Sequence, residues 1–299
     1  MIKPMTGIQR YAAFTADPRG GNPAGIVLDA GGLPDAEMLA IAAEVGYSET
    51  AFVVAVQPPP PPPRHLGGSS EAPGYDNSGR RSTYRVRYFS PEIEVPFCGH
   101  ATIATAVALG PGEHLFRTNA GDVPVTVDDA GIATLTSVPT AVADLAPADL
   151  SRLLEALRYR AEDLDDSLPP KVAYAGAHHP VIALGTRAKL AALDYDVDAL
   201  RQLMTGQGWT TIQIVHRAAD DTFDVRNPFP VGGVYEDPAT GAAAAALGAY
   251  LRELRVVPDD ATLHLRQGDD MGRPSQITVS LTPSEPGVRV SGTAVPITA

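Results

Sequence analysis

Two short turns in this chain stand directly ahead of helices that would be poorly suited to a surface. Gly99-His100-Ala101 opens the run ATIATAVAL (101–109), and Pro238-Ala239-Thr240-Gly241 begins PATGAAAAALGAYL (238–251). A helix N-terminus presents unpaired backbone N–H groups and about half a positive charge, so each turn is suited to hold an anion. Asp237 reads as the N-cap of the second helix, with Pro238 at its first position. His100 lies in the first turn of the other helix, where the dipole disfavours its protonated form and leaves a neutral donor or acceptor. The chain carries 23 basic against 35 acidic side chains, a net charge of −12, so these tips are its strongest local attraction for a small carboxylate. Its single cysteine, Cys98, reads as a small buried packing residue at the turn before Gly99.

The elements that must position these turns follow from hydrophobic period and punctuation. Strand-like runs occupy Ile8 to Phe14 and Gly25 to Leu28, followed by an amphipathic helix from Asp35 to about Val45 that Gly46 stops. AFVVAV (51–56) and TYRVRYF (83–89) are further strands. The second half repeats that order: a helix from Asp196 to Met204, glycines at 206 and 208, TTIQIVHR (210–217), TFDVRNPF (222–229), then a Gly-containing turn into a helix. Two copies of one unit are expected. The closing helix of each copy is small and apolar on nearly every face, which places it inside a sheet that wraps around it. Repeat symmetry then brings the two helix tips face to face across a cleft. Between the units lie a hairpin turning at Asp129-Ala130-Gly131 and an amphipathic helix near Pro147 to Leu157, and ITVSL (277–281) and GVRVSG (287–292) supply late strands.

A length of 299 residues fits two domains, and 28 Gly plus 28 Pro imply many sharp turns. The negative charge repels phosphate backbones and anionic leaflets, so neither a nucleic-acid nor a membrane partner is expected. No run approaches the ~20 apolar residues of a membrane span. The start, MIKPMTGIQRYAAFTADPRGG, lacks the apolar core of a signal peptide, and one cysteine fits a reducing compartment, so a cytoplasmic location is expected. Residues 57–82, with six consecutive prolines from Pro58 to Pro63, read as an exposed and flexible insertion. No phosphate-binding loop, dinucleotide fingerprint or His/Cys metal motif occurs, and His178-His179 would point to opposite faces of a strand. No nucleotide, flavin or metal is expected.

The segments GNPAGIVL (21–28), SETAFV (48–53), YFSPEIEVPFCGHATIATA (88–106), EDPATGAAAAALGAYL (236–251) and QGDDMGRPSQI (267–277) resemble the PhzF-like isomerases of phenazine biosynthesis, relatives of diaminopimelate epimerase and proline racemase. They run from end to end in order. The resemblance implies an α+β fold of two similar domains, each a mixed β-barrel around a central buried helix, with the active site between them and the C-terminal strand returning to the first. Residues 1–115 plus 286–299 would form one domain and 116–285 the other. It implies that Glu49, in Ser48-Glu49-Thr50, is the general acid/base, and that Trp209-Thr210 stands at the equivalent point of the second unit, without a carboxylate. His100 and the Gly99 amide would orient the substrate, Asp237 would bind its amino or hydroxyl group, and Asn22 reads equally as a substrate contact and as a turn residue. Where the family's namesake carries a serine for the substrate carboxylate this chain has Ala242, leaving the Gly241 and Ala242 amides to hold the anion. One cysteine excludes two-thiol racemisation. The activity expected is therefore a cofactor-independent proton shift in a small unsaturated amino or hydroxy carboxylic acid, as in trans-2,3-dihydro-3-hydroxyanthranilate isomerase, by a homodimer. The alternatives are a one-glutamate epimerase or lyase of an amino or imino acid, and a non-catalytic carboxylate-binding protein.

Overall fold

The computed structural model describes residues 7–57, 82–283 and 285–298. Apart from Gln57 and Ser82, the Pro-rich insertion lies outside the described residues.

Strands β1 (Ile8–Ala13) and β2 (Asn22–Val27) pair antiparallel, and α1 (Asp35–Val45) crosses to β3 (Glu49–Gln57), which runs parallel to β2. Gly46 ends α1 in the left-handed conformation, at φ 73°. Next come β4 (Ser82–Phe89), antiparallel to β3, the short β5 (Glu94–Val95), and α2 (Gly99–Leu109). Three strands complete the unit: β6 (Gly112–Thr118), parallel to β4, then the antiparallel β7 (Gly121–Val127) and β8 (Ala133–Thr136). After β9 (Ala141–Asp144) and α3 (Pro147–Leu157) the pattern repeats. An antiparallel pair, β10 (Lys171–Tyr174) and β11 (His178–Ala183), leads through α4 (Arg187–Ala191) and α5 (Val197–Gln207) to β12 (Gln213–Arg217), parallel to β11. Then follow β13 (Thr222–Pro228), the short β14 (Glu236–Asp237), α6 (Gly241–Glu253), β15 (Thr262–Gln267) parallel to β13, β16 (Ser275–Ser280) and β17 (Arg289–Gly292). The pairing sense matches strand for strand, which is the expected internal repeat.

The last strand of each unit is exchanged. β18 (Ala294–Pro296) follows β17 but pairs with β1, whereas β9 follows β8 but pairs with β10. β8 and β17 also pair with each other, so the sheet runs from one unit into the next. These pairings carry the first unit on through β8 to Thr136.

Both central helices are encased. Residues His100–Ala106 of α2 are buried, as are Gly241 and Ala243–Leu251 of α6. Their small side chains let strands close tightly: a methyl on Gly248 would lie 2.7 Å from Val279 Cγ1. The inward residues of β2, β3 and β4 (Ala24, Ile26, Ala51, Val53, Val86, Tyr88) and those around α6 form one continuous core. The outer faces are covered by α1, through Met38, Ile41 and Ala42 on Phe52 and Phe89, and by α3 and α5 over Ile182, Leu184 and Ile214. Among the described residues no helix is long and apolar enough to cross a membrane.

Several strand ends differ from the sequence reading by two or three residues, among them the starts of β2 and β12, and two helix boundaries differ in ways that bear on the site. α5 continues past Met204 through Gly206 to Gln207 and ends at Gly208, φ 68°. α6 starts at Gly241 rather than Pro238, and Thr240, not Asp237, is its N-cap residue. The reason is Gln267. Its side chain accepts from the Thr240 N–H (3.1 Å) and donates to the Asp237 carbonyl (2.7 Å), while Ser275 Oγ donates to the Pro238 carbonyl (2.8 Å). These bonds hold 237–240 extended and free the Asp237 carboxyl for other partners.

Candidate active site

Repeat symmetry places the two helix starts against one another. A methyl built on Gly99 would lie 3.9 Å from the Gly241 Cα, so the encased helices meet nearly tip to tip. Glu49 is the first residue of β3 and stands opposite Ala24 in the parallel ladder, two residues from Asn22 at the start of β2. β2, β3 and the N-terminus of α2 thus deliver Asn22, Glu49, Cys98 and His100 to one place, and β14 brings Asp237 from the second unit.

Asn22 ties the two units together. It is 1% exposed, and its amide nitrogen lies 2.8 Å from Asp237 Oδ1, 3.1 Å from the Ala239 carbonyl and 3.1 Å from His100 Nδ1. Three acceptors surround two amide hydrogens. A donor facing Nδ1 makes that nitrogen the acceptor and leaves the imidazole proton on Nε2, which points toward Glu49 Oε2 (3.4 Å) and Ser48 Oγ (3.5 Å). Burial lowers the His100 pKa, opposed by the Glu49 charge, so the ring is neutral, as the sequence suggested. Asn22 thus sits inside the cluster.

Asp237 is buried, and its pKa is pushed up to about 7, chiefly by desolvation and further by the negative charge of Glu49. Hydrogen bonds from Thr240 Oγ1 (2.5 Å) and Asn22 oppose that rise, and desolvation prevails. Cys98 is buried, as expected of a packing residue, but it packs on polar groups. Its Sγ is 3.5 Å from Glu49 Oε2, 3.4 Å from His100 Nδ1 and 3.7 Å from Nε2, and burial raises its pKa well above the usual thiol value. Glu49, Cys98 and His100 present ligand-type atoms all within 4.8 Å of one another. No motif spacing could show that, because residue 49 belongs to a strand and the other two to a helix start. Gly99 and Ala242, at the paired tips, are partly exposed, while Gly241 is buried beside Phe14 Cζ (3.5 Å from a built methyl).

The second unit has its own residues at the positions of Asn22 and Glu49. Ala13 pairs with Asn22, and Ala24 with Glu49; correspondingly Ala173 pairs with His179, and Val181 with Gln213. Gln213, rather than Trp209-Thr210, therefore matches Glu49. The loop after α5 is two residues longer than the loop after α1, which misleads counting from the stop glycine. Sequence reasoning also missed Gln267, Thr240 and Ser48. The one available signal was that all three fall in the segments QGDDMGRPSQI, EDPATG and SETAFV.

A model of the phenazine biosynthesis-like protein family (PhzC-PhzF) matches residues 11–299. The chain is 34% identical over 303 residues to the "Uncharacterized isomerase YddE" of Escherichia coli (strain K12), spanning 95% of this chain and 93% of that one. It is 29% identical to the trans-2,3-dihydro-3-hydroxyanthranilate isomerase of Pseudomonas aeruginosa, over 89% of this chain and 86% of that protein. Among solved structures, the phenazine biosynthesis protein of the PhzF family from Bacillus anthracis superposes with a TM-score of 0.78 at 26% identity, covering 97% and 96% of the two chains. A probable proline racemase from Agrobacterium radiobacter K84 shares the fold, with a TM-score of 0.60 at 12% identity over 97% of this chain and 90% of that one. The fold is α+β and diaminopimelate epimerase-like, as the sequence implied.

Proposed function

We start from a chain that belongs to the phenazine biosynthesis-like (PhzC-PhzF) family, and we propose that it shifts a proton between carbons of a small unsaturated amino or hydroxy carboxylic acid. The chain is an isomerase, the activity its relatives' names share. The finer reading is carried by one observation: Glu49 Oε2 stands 3.4 Å from His100 Nε2, at the point where two encased helices meet tip to tip.

Each group has a physical task. The free amides of Gly99, Gly241 and Ala242, backed by the two helix dipoles, hold the substrate carboxylate and the negative charge that gathers as a C–H bond breaks. Asn22, His100 and Asp237 orient the amino or hydroxyl substituent. Glu49, as carboxylate, takes the proton from one carbon and returns it as carboxylic acid to another. Electrons stay within the substrate, so a conjugated diene or enamine is needed to delocalise the carbanion. A single carboxylate serves transfer along one face of the substrate. Stereoinversion needs an acid and a base on opposite faces; the second unit offers Gln213 where the first has Glu49, and both oxygens of its Asp237 carboxyl are engaged by Asn22 and Thr240, which favours a shift over epimerisation. Assembly as a homodimer is part of the same proposal, and sedimentation tests it.

The decisive experiment incubates chelator-treated protein with trans-2,3-dihydro-3-hydroxyanthranilate and related enamine acids in deuterated water, followed by NMR. Rearrangement with deuterium entering at carbon is expected. Glu49→Gln should lower the rate by about a thousandfold while the protein stays folded; activity within tenfold of wild type removes Glu49 from this role. Absence of both rearrangement and exchange overturns the proposal, and carboxylate binding without exchange would leave a binding protein.

A further inference from the structure

We propose that Arg273 is a positioning residue of this isomerase: from the second unit it holds the turn ahead of Asn22, and so fixes Asn22 against Asp237 and His100. Its Nε donates to the Gly21 carbonyl and its Nη2 to the Gly20 carbonyl, both at 2.9 Å. The neighbouring Pro274 carbonyl accepts from the Gly21 N–H at 3.0 Å. Three hydrogen bonds thus clamp a buried turn, with Gly21 in the left-handed conformation (φ 64°), onto residues 273 and 274. The fit leaves no space for side chains. A methyl on Gly20 would lie 2.5 Å from the Pro274 carbonyl oxygen, and one on Gly21 would lie 2.3 Å from that of Ala13.

The segment between β15 and β16 holds both ends of the Asn22–Asp237 contact. Gln267 and Ser275 bind the carbonyls of Asp237 and Pro238, and Arg273 binds the turn before Asn22. The Arg273 N–H closes that segment on itself by donating to the Gly268 carbonyl at 3.0 Å. Arginine suits the task because its rigid fork presents two N–H groups at once, and a charged donor strengthens both bonds. Without it, two carbonyls of a buried turn lose their donors and the turn moves to find others. Asn22 moves with it. The amide that faces Asp237 Oδ1 and the Ala239 carbonyl also faces His100 Nδ1, so its withdrawal removes the donor that keeps the imidazole proton on Nε2, toward Glu49. The effect on turnover rests on the proton-shift reading above, while the effect on His100 does not.

The test compares the full wild-type chain with Arg273→Met and Arg273→Lys. NMR of the histidine ring nitrogens, with His100 assigned by its loss in His100→Gln, reads the tautomer. Wild type should carry the proton on Nε2, and Arg273→Met should populate both tautomers. With trans-2,3-dihydro-3-hydroxyanthranilate as substrate, kcat of Arg273→Met should fall by about a hundredfold. KM should stay within about threefold, because the helix tips that hold the carboxylate are untouched. Arg273→Lys offers one ammonium to two carbonyls and should lose about tenfold. Arg252→Met removes donors to the Glu285 carbonyl and Thr140 at the far end of α6, and should leave tautomer and kcat as in wild type. A folded Arg273→Met with the His100 proton on Nε2 alone overturns the inference, as does kcat within about threefold of wild type or an equal loss in Arg252→Met. If Arg273→Met does not fold, Arg273→Lys decides, and a wild-type tautomer and rate there overturn it. If no substrate turns over at all, the ring spectra still decide the positioning.

Discussion

Replacing Asp237 with asparagine should flatten the alkaline side of the stability curve. The Asp237 carboxyl is raised from 3.8 to about 7, first by burial, with the Glu49 charge adding to the rise. The folded protein thus holds this proton more tightly than the unfolded chain does. Its contribution is fully present below about pH 3.8 and is lost as pH climbs through 7. At ~1.36 kcal/mol per pH unit, the interval from 3.8 to about 7 amounts to about 4 kcal/mol. That is a large share of the ~5–15 kcal/mol by which domains of this kind are stable. Asparagine is an uncharged isostere of the protonated acid. Its amide oxygen still accepts from Asn22, and its nitrogen donates to Thr240 Oγ1, which keeps its bond from Gln267.

Urea unfolding of wild type and Asp237→Asn from pH 4 to 9, taken as a difference at each pH, cancels the other carboxylates. The two proteins should agree within about 1 kcal/mol near pH 4, and the variant should gain steadily to an advantage of about 2–4 kcal/mol near pH 8.5. Parallel curves would refute the reasoning, because they would mean that Asp237 releases its proton at the same pH folded and unfolded.

Four other perturbations test separate parts of the fold. Burial lowers the His179 pKa to about 4, so its contribution is present above 6.5 and lost as pH falls through 4; His179→Asn, still able to donate to Thr211, should remove about 3 kcal/mol of acid destabilisation in pH-dependent unfolding. Arg226 and Glu236 form a buried pair at 2.5 Å, with the guanidinium also donating to the Leu190 and Ala191 carbonyls. Arg226→Met strands a buried carboxylate and should cost about 3–5 kcal/mol, much of it recovered when Glu236→Gln is added. Gly248→Ala forces a methyl to within 2.7 Å of Val279 Cγ1 and should cost about 1–3 kcal/mol by thermal unfolding. Gly206→Ala, inside α5 with nothing within 4 Å, should stabilise by about 0.4–1 kcal/mol.

The fold was legible where one residue type decides a local question. Gly46 and Gly208 stop helices because each adopts positive φ, and the alanine-rich faces of α2 and α6 announce burial since no polar stripe exists to face water. What stayed hidden was set by partners distant in the chain. Asp237-Pro238 has every local mark of a helix start, yet Gln267, thirty residues on, holds it extended. Strands β9 and β10 escaped notice because four residues each are too few to show a period. The contact of Glu49 with Cys98 and His100 depends on register between a strand and a helix 49 residues later, information that no window of sequence contains.

The exchanged strands explain how a cleft between two units is held at atomic tolerance. Were the barrels joined only by a linker, the gap between the helix tips would float, and an anion site made of two dipoles would lose its focus. Instead β8 pairs with β17, and β18 returns to β1, so separating the units means breaking ladder hydrogen bonds. Phe14 transmits that constraint to the site. It follows β1 in a left-handed conformation, φ 61°, which is costly for a bulky side chain, and its N–H donates to the Thr293 carbonyl between β17 and β18 at 2.7 Å. Its ring leaves no room for a side chain at Gly292 and lies against Gly241 at the tip of α6. A strained residue wedged between the crossing strands and one of the two tips is what this architecture requires, because the tip it braces shares the crevice with Glu49 from the other unit.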